Sequence, residues 1–532
     1  MIRRAIGCWL AVLWAGALSA GSPGFPGTNT GAIPDGNPSG LAVQFTVSGL
    51  FRPVGNVGLA MDLTHGWVGD LNATLISPDG RARLLVFGRL GASRASNFGD
   101  SSNFGGSYTF WDSATANLWQ AAIATADAAI PPGTYRALSA GSPGRSLLGG
   151  CPTSLRGVFQ GLTPEQANGV WTLLLTDAAT PDAGTINSAT LYMDMVPDGL
   201  FADGFETSLP RRPEQPGGVI TPVDPRCYNK PLADLTGDGL SDFVLVRNTG
   251  GSITWTVLPN VGNGTAAAPL PAFTLGTSSH FFDLTDIDGD RIADPTAWLA
   301  GEWSVRPSSR GFLDIWTRSF GQVGDDPLQS GDYDGDGIDD LALAIPSSAS
   351  TSPTLRIWSS GYGWSYELPL GAVGSAFVAA GFDYNGDAIT DALVQRNVGG
   401  AGGISIYNGG GSLLQSFTLG FPTDVLCPGN YTGDFIGDIT VSRGSGGSLI
   451  WETRDLGTGI VQPPVTFGAS ATDFRVLGDY DGDGLADHAN WRASATPGAS
   501  QFMLRPSTST ASTWTVAAGQ SGDFPVAHSR VH

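Results

Sequence analysis

Basic residues are scarce in this 532-residue chain: 27 Lys and Arg stand against 48 Asp and Glu, for a net charge of −21. Phosphate binding needs a basic surface, so a nucleic-acid partner is not expected. Cysteine is nearly absent, with four residues. No C-x-x-C pair exists, which argues against a zinc site. Beyond the first 20 residues no segment approaches ~18 uninterrupted apolar residues, so no membrane-spanning helix is expected. Catalytic signatures are missing as well. There is no G-x-S-x-G elbow, H-E-x-x-H helix or P-loop. The five histidines, His65, His280, His488, His528 and His532, stand away from any nucleophile motif. The expectation is no catalytic residue and no organic cofactor.

What the chain does have is acid in a repeating pattern. Asp332 to Asp340 reads D-Y-D-G-D-G-I-D-D. Carboxylates at the first, third, fifth and ninth positions suit a hard cation with oxygen ligands, and the seventh residue would offer its carbonyl. Gly335 and Gly337 supply the tight reversal that lets alternate side chains point at one centre. Five more nonapeptides follow the same plan, starting at Asp234, Asp286, Asp383, Asn430 and Asp479. In chain order the six starts are 52, 46, 51, 47 and 49 residues apart. Such a period marks a repeat architecture, one four-stranded propeller blade per unit.

The ligand positions follow directly. Loop one offers Asp234, Thr236, Asp238, Leu240 and Asp242; loop two offers Asp286, Asp288, Asp290, Ile292 and Asp294. Loop three offers Asp332, Asp334, Asp336, Ile338 and Asp340; loop four offers Asp383, Asn385, Asp387, Ile389 and Asp391. Loop five offers Asn430, Thr432, Asp434, Ile436 and Asp438; loop six offers Asp479, Asp481, Asp483, Leu485 and Asp487. Calcium is the expected cation, in up to six sites. Ligand charge tunes affinity, so loops two, three and six should bind tightest. Loop five, with two carboxylates, should be weakest or empty. Acidic turns without an ion would repel themselves strongly, and an acidic surface serving solubility alone would spread its charge evenly. Instead the loop carboxylates account for nearly the whole net charge.

Residues 1–20 have a basic start, an apolar run from Ala5 to Leu18, and small residues at Ala15, Ala17, Ser19 and Ala20. This reads as a secretory signal peptide, which removes Cys8 and predicts export. Export permits a disulfide. Cys227 and Cys427 stand at equivalent edges of two repeats. Whether they pair is left open, because blades one and five of six are not neighbours.

Residues 21–31 read as a poorly ordered lead. From 32 to 197 the text is strand-like, as in Leu41 to Val47, Asp70 to Ile76 and Trp171 to Leu175. Turns such as Pro78-Asp79-Gly80 separate the runs, and no amphipathic helix stands out. Many short strands over ~160 residues imply a β-sandwich. The segments Thr64 to Gly80 (T-H-G-W-V-G-D-L-N-A-T-L-I-S-P-D-G), Phe110 to Ala114 (F-W-D-S-A), Leu155 to Leu162 (L-R-G-V-F-Q-G-L) and Asn168 to Asn187 occur in that order. Together they resemble the P domain, or homo B domain, of proprotein convertases and bacterial subtilisin-type proteases. The resemblance implies a jelly-roll sandwich that usually follows and stabilises a serine protease domain.

Residues 198–226 are rich in Pro, Arg and Gly and read as a linker. The repeats run from 227 to 532. Each loop leads into an apolar strand (Phe243 to Val246, Leu341 to Ile345, Ala392 to Val394), then a turn and a strand carrying Trp255, Trp303, Trp358, Tyr407 or Trp451. These units resemble the FG-GAP repeats of integrin-type propellers, which implies calcium in each blade between its first two strands. Gly522 to Val526 matches the strand that precedes a loop, yet no loop follows. Ring closure needs such a strand, so six blades are expected, with seven as the rival. The periodic aromatics read as packing between blades. Trp316, Tyr362, Trp364 and Trp491 fall outside the period and are the better platforms for stacking on a sugar.

The chain therefore reads as all-β: a jelly-roll β-sandwich plus a six-bladed β-propeller. The expected function is a secreted, calcium-binding adhesion or ligand-binding protein that recognises a glycan or an extracellular protein through loops on one face of the ring. Two alternatives stay open. One is an accessory of a subtilisin-type protease. The other is a polysaccharide-active propeller enzyme, whose mark would be paired carboxylates converging on the central channel.

Overall fold

The structure is a computed structural model describing residues 23–91, 99–125, 127–139, 150–196, 232–327, 329–361, 363–374, 376–434, 436–496, 498–507 and 512–528. The signal segment, the linker, Cys8, Cys227 and Tyr362 lie outside the described residues.

The N-terminal unit is a ten-stranded sheet in two halves. One half is built from Leu41–Val47, Gly169–Asp177, Leu71–Ile76 and Arg83–Gly88. The other is built from Gly184–Met195, Val54–His65, Phe104–Phe110 and Gly133–Tyr135. Gly24–Thr28 joins them, pairing with Gly184–Met195 through its first residues and with Leu41–Val47 through its last. Period-two alternation sends Val43, Phe45 and Val47, like Trp171, Leu173 and Leu175, to one side of their strands. They meet Leu59, Met61, Leu63 and Leu191 of the other half in one continuous apolar core.

Helices also occur, which the sequence reading did not anticipate. Leu118–Thr125 and Leu155–Phe159 are helical, with Leu118, Trp119, Leu155, Val158 and Phe159 buried. Both are too short for a 3.6-residue period to emerge.

The C-terminal part is a six-bladed β-propeller. Blade two, for example, runs Phe281–Thr285, Asp294–Leu299, Glu302–Val305 and Trp316–Ser319 from the axis outward. Blade three holds its inner edge by isolated bridges, Asp326 to Ala344 and Gly331 to Asp340. Blade one is completed from the chain end, as expected: Asp523–Pro525 pairs with Phe243–Thr249 at Arg247, Val246 and Leu245. Six blades close the ring, and the seven-blade rival falls away.

Apolar side chains between blades form five separate clusters. The periodic aromatics lie in them. Trp255, Trp303 and Trp451 are fully buried. Each donates its indole N–H to a carbonyl in or just past the outer strand, at Leu275, Phe320 and Phe467. Trp491 does the same toward Ala518 at 3.1 Å and is fully buried. It is a core residue, which corrects its reading as a stacking platform. Its position on the second strand of blade six, outside the third-strand series, concealed this.

The pairing left open for Cys427 is also decided. Cys427 is a free, buried thiol, pushed up to about 12 by burial. It therefore makes no bond to Cys227. Cys151 is the disulfide-bonded cysteine of the described residues.

Candidate metal centres in the blade loops

Loops two to six each lie between the innermost strand or bridge of a blade and the next strand out, whereas loop one precedes Phe243–Thr249, whose inner neighbour is Asp523–Pro525. The fourth residue is glycine throughout, at 237, 289, 335, 386, 433 and 482, and each has φ between 70° and 83°. That left-handed backbone lets the first carboxylate curl back over its own loop. In loop three Asp332 Oδ1 accepts the Gly335 N–H at 2.7 Å and Oδ2 accepts that of Gly337 at 2.9 Å. The same pair of bonds forms at Asp234, Asp383 and Asp479.

Curling gathers the odd-numbered side chains. Carboxylate oxygens of Asp286, Asp288 and Asp290 lie within 4.8 Å of one another, as do those of Asp332, Asp334 and Asp336, and of Asp479, Asp481 and Asp483. These are loops two, three and six, the richest in charge. In loops one and four the third position is Thr236 or Asn385, and no cluster of three carboxylates forms there. Instead Asn385 Nδ2 donates to Asp387 at 3.1 Å, a neutral amide bridging what a carboxylate would repel.

Loop five differs from expectation. Asp434 and Asp438 are joined by Asp455, a buried residue from the turn after the third strand, to make a fourth cluster. The equivalent turn in blade three supplies Ser359, whose hydroxyl donates to Asp334 at 2.6 Å. Thr432 turns its hydroxyl onto Asp438 at 3.0 Å. Loop five thus has three carboxylates where the nonapeptide alone has two. Only spacing across the hairpin could have flagged Asp455.

The ninth aspartate has a further role. Its Oδ2 accepts the N–H of the second loop residue in all six blades, at Leu235, Ile287, Tyr333, Tyr384, Tyr431 and Tyr480. Its Oδ1 reaches across the blade to the turn after the third strand, as in Asp242 to Asn260 N (2.8 Å), Asp294 to Ser308 N (2.6 Å) and Asp487 to Ser507 N (3.0 Å). Bonds of this charge-assisted kind are about twice as strong as neutral ones.

Neighbouring loops are also linked to one another. The eighth residue's N–H donates to the first residue's carbonyl in the preceding loop: Ala293 to Asp234, Asp339 to Asp286, Thr390 to Asp332, Gly437 to Asp383, Ala486 to Asn430, and Ser241 to Asp479. The last of these closes the circle. Seventh-position side chains interlock in the same sense. A Cβ on Gly237 would stand 2.9 Å from Ile292, and one on Gly482 would stand 2.7 Å from Leu240. The six loops form one continuous belt around a face of the ring.

The electrostatics of the belt call for positive charge. Burial, then neighbouring carboxylates, push Asp479 up to about 8 and Asp336 up to about 7. Asp340 and Asp487 are raised well above the ordinary range for the same reasons. Asp483 Oδ2 is buried and receives no hydrogen bond, in a protein interior where such an atom normally finds a donor. A hard divalent cation answers all of these features, so the donor set fits one.

Residues 54–134 match the proprotein convertase P-domain family. The motifs at 155–162 and 168–187 lie beyond that match. No curated protein matches the chain. Among solved structures, an Agrocybe aegerita lectin described as recognising non-reducing terminal N-acetylglucosamine aligns at 17% identity and TM-score 0.34, covering 53% of this chain and 78% of the lectin. The Photorhabdus luminescens Tc holotoxin pore aligns at 17% identity and TM-score 0.32, covering 52% of this chain and 14% of that one. A complex of the Aeromonas sobria serine protease with its chaperone aligns at 18% identity and TM-score 0.17, covering 32% and 26%. Scores this low carry no functional inference. No helix among the described residues is long and apolar enough to cross a membrane.

Proposed function

We propose that the chain is an exported, calcium-loaded ligand-binding protein without catalytic activity, in which calcium in the blade loops holds a recognition face in shape. The reading places a signal peptide at 1–20, a lead at 21–31 whose residues Gly24–Thr28 join the sheet as a strand, a P-domain-like jelly-roll sandwich at 32–197, a linker at 198–226 and an FG-GAP-type propeller at 227–532. The observation that carries it is the convergence of Asp286, Asp288 and Asp290, repeated in loops three and six, at buried or half-buried positions. In the proposed site the first, third, fifth and ninth side chains and the seventh carbonyl hold the ion. The ion would neutralise the loop and stabilise the native state by mass action. It supplies no reaction step.

The ligand class is a glycan or an extracellular protein, held on the loops of one face of the propeller. A glycan array run on the full chain tests this. Binding to a defined set of glycans, lost in chelator and restored by calcium, is the expected result. Binding indifferent to calcium would contradict the reading.

The P-domain match at 54–134 supports a second reading, an accessory of a subtilisin-type protease. Casein cleavage by the purified chain, abolished by a serine-directed reagent, would favour it over the first.

A further inference from the structure

We propose that the N-terminal unit is a clamp on loops two and three, so that cation binding in those loops and docking of the unit are one coupled equilibrium. This rests on the reading of the loops as cation sites. Asp112 builds the docking edge. Its carboxylate accepts the Ser154 hydroxyl at 2.7 Å and the N–H groups of Leu155 (3.0 Å) and Arg156 (2.8 Å), capping the short helix Leu155–Phe159. The Asp112 carbonyl accepts Arg136 Nη1 at 2.7 Å, and Arg136 Nε donates to the Thr153 carbonyl at 3.2 Å. Both groups are thereby aimed at the propeller.

What they reach is loop backbone. The Ser154 N–H donates to the Gly289 carbonyl at 2.9 Å, and Arg136 Nη2 donates to the Asp336 carbonyl at 2.6 Å. Gly289 is the fourth residue of loop two and Asp336 the fifth of loop three, each inside a carboxylate cluster. Gly157 lets the helix approach, since a Cβ there would collide with the Asp288 carbonyl oxygen. From the propeller side, Arg310 is 3% exposed and donates to the Val158 carbonyl at 3.2 Å. Arg81 pairs with Asp314 at 2.9 Å. Among the described residues, these hydrogen bonds between the two units run to blades two and three.

The coupling follows from where those acceptors sit. Gly289 and Asp336 present their carbonyls outward only while the loop is wrapped. Without a cation, three carboxylates within 4.8 Å push the loop open, and the acceptors move away from Ser154 and Arg136. Docking therefore selects the wrapped loop, which is the cation-binding state. By reciprocity the cation tightens docking by the same factor. Loops one, four, five and six stay outside this coupling.

The test compares metal-free full chain with its Gly157→Leu variant by calorimetric calcium titration, with small-angle scattering on the same samples. Gly157→Leu alters no propeller residue. Two sites are expected to weaken by roughly 5- to 150-fold, the others to hold their affinity, and the radius of gyration to rise. Chelator added to the unaltered full chain approaches from the other side. It leaves every carboxylate in place, and should undock the unit and raise the radius of gyration even if Gly157→Leu fails to fold. A docked unit in chelator, or unchanged affinities in an undocked Gly157→Leu, would overturn the clamp while leaving the cation reading intact. Absence of calcium binding at every loop would remove both.

Discussion

The two parts of the molecule hold themselves together differently. In the N-terminal unit the two half-sheets close on one apolar core that runs from Ile33 to Met193. In the propeller the apolar contacts are divided among five clusters between blades, and continuity around the ring passes instead through the acidic belt. A core of the first kind needs nothing from solution. A belt of buried carboxylates does, because its like charges are held together at positions where burial already opposes ionisation.

The largest expected break between the two parts comes from removing calcium. Several sites, each contributing ~2.7 kcal/mol at a hundredfold excess over Kd, should lower the propeller transition by roughly 10 °C or more. The N-terminal transition should move far less. Differential scanning calorimetry with and without chelator separates the two. The pH dependence has a definite sign. Asp479 rises from 3.8 to about 8 in the fold, so the metal-free fold holds a proton that the unfolded chain releases. The contribution of Asp479 to metal-free stability is therefore fully present below about pH 4 and is lost as pH rises toward 8. Saturating calcium should abolish that slope in melts recorded across the range.

Next in size is the ninth aspartate. Asp487→Ala strips acceptors from the N–H groups of Tyr480 and Ser507, at a cost of about 3 kcal/mol. The loss should fall on the propeller transition. Leu173→Ala, in the N-terminal core, should cost a similar amount but leave the propeller transition in place. Denaturant melts of both variants, in calcium and in chelator, make the comparison.

The smallest effect isolates the belt contact itself. Gly237 and Gly250 have nearly equal φ, 73° and 66°. A Cβ on Gly237 meets Ile292, whereas one on Gly250 meets open space. Both alanine variants carry the backbone strain, and Gly237→Ala should cost about 1 kcal/mol more. Equal losses would mean that the interlock between loops contributes nothing.

Much of this was readable in advance because it is local. Six nonapeptides at a blade-length period announce six blades, and a strand without a loop at 522–526 announces closure. Positions one, three and five converge in loops two, three and six because glycine at position four forces the curl. What escaped the sequence depends on atoms far apart in the chain. Asp455 enters loop five from the opposite side of a hairpin. The ninth carboxylates find backbone N–H groups across the blade, and the seventh side chains find glycine in the preceding blade. Arg136 meets Asp336 across the two units, through a carbonyl that no side-chain pattern records. Trp491 read as an exposed platform, and the pairing of Cys427 stayed open, because neither their strand nor their burial is written locally.

The belt as a set of cation sites is tested most directly by calcium titration of the metal-free full chain, with heat and stoichiometry read together. Tight binding of at least three ions, assigned to loops two, three and six by loss of one site each in Asp288→Asn, Asp334→Asn and Asp481→Asn, is the predicted result. A flat titration, with a melt that calcium does not move, would contradict it.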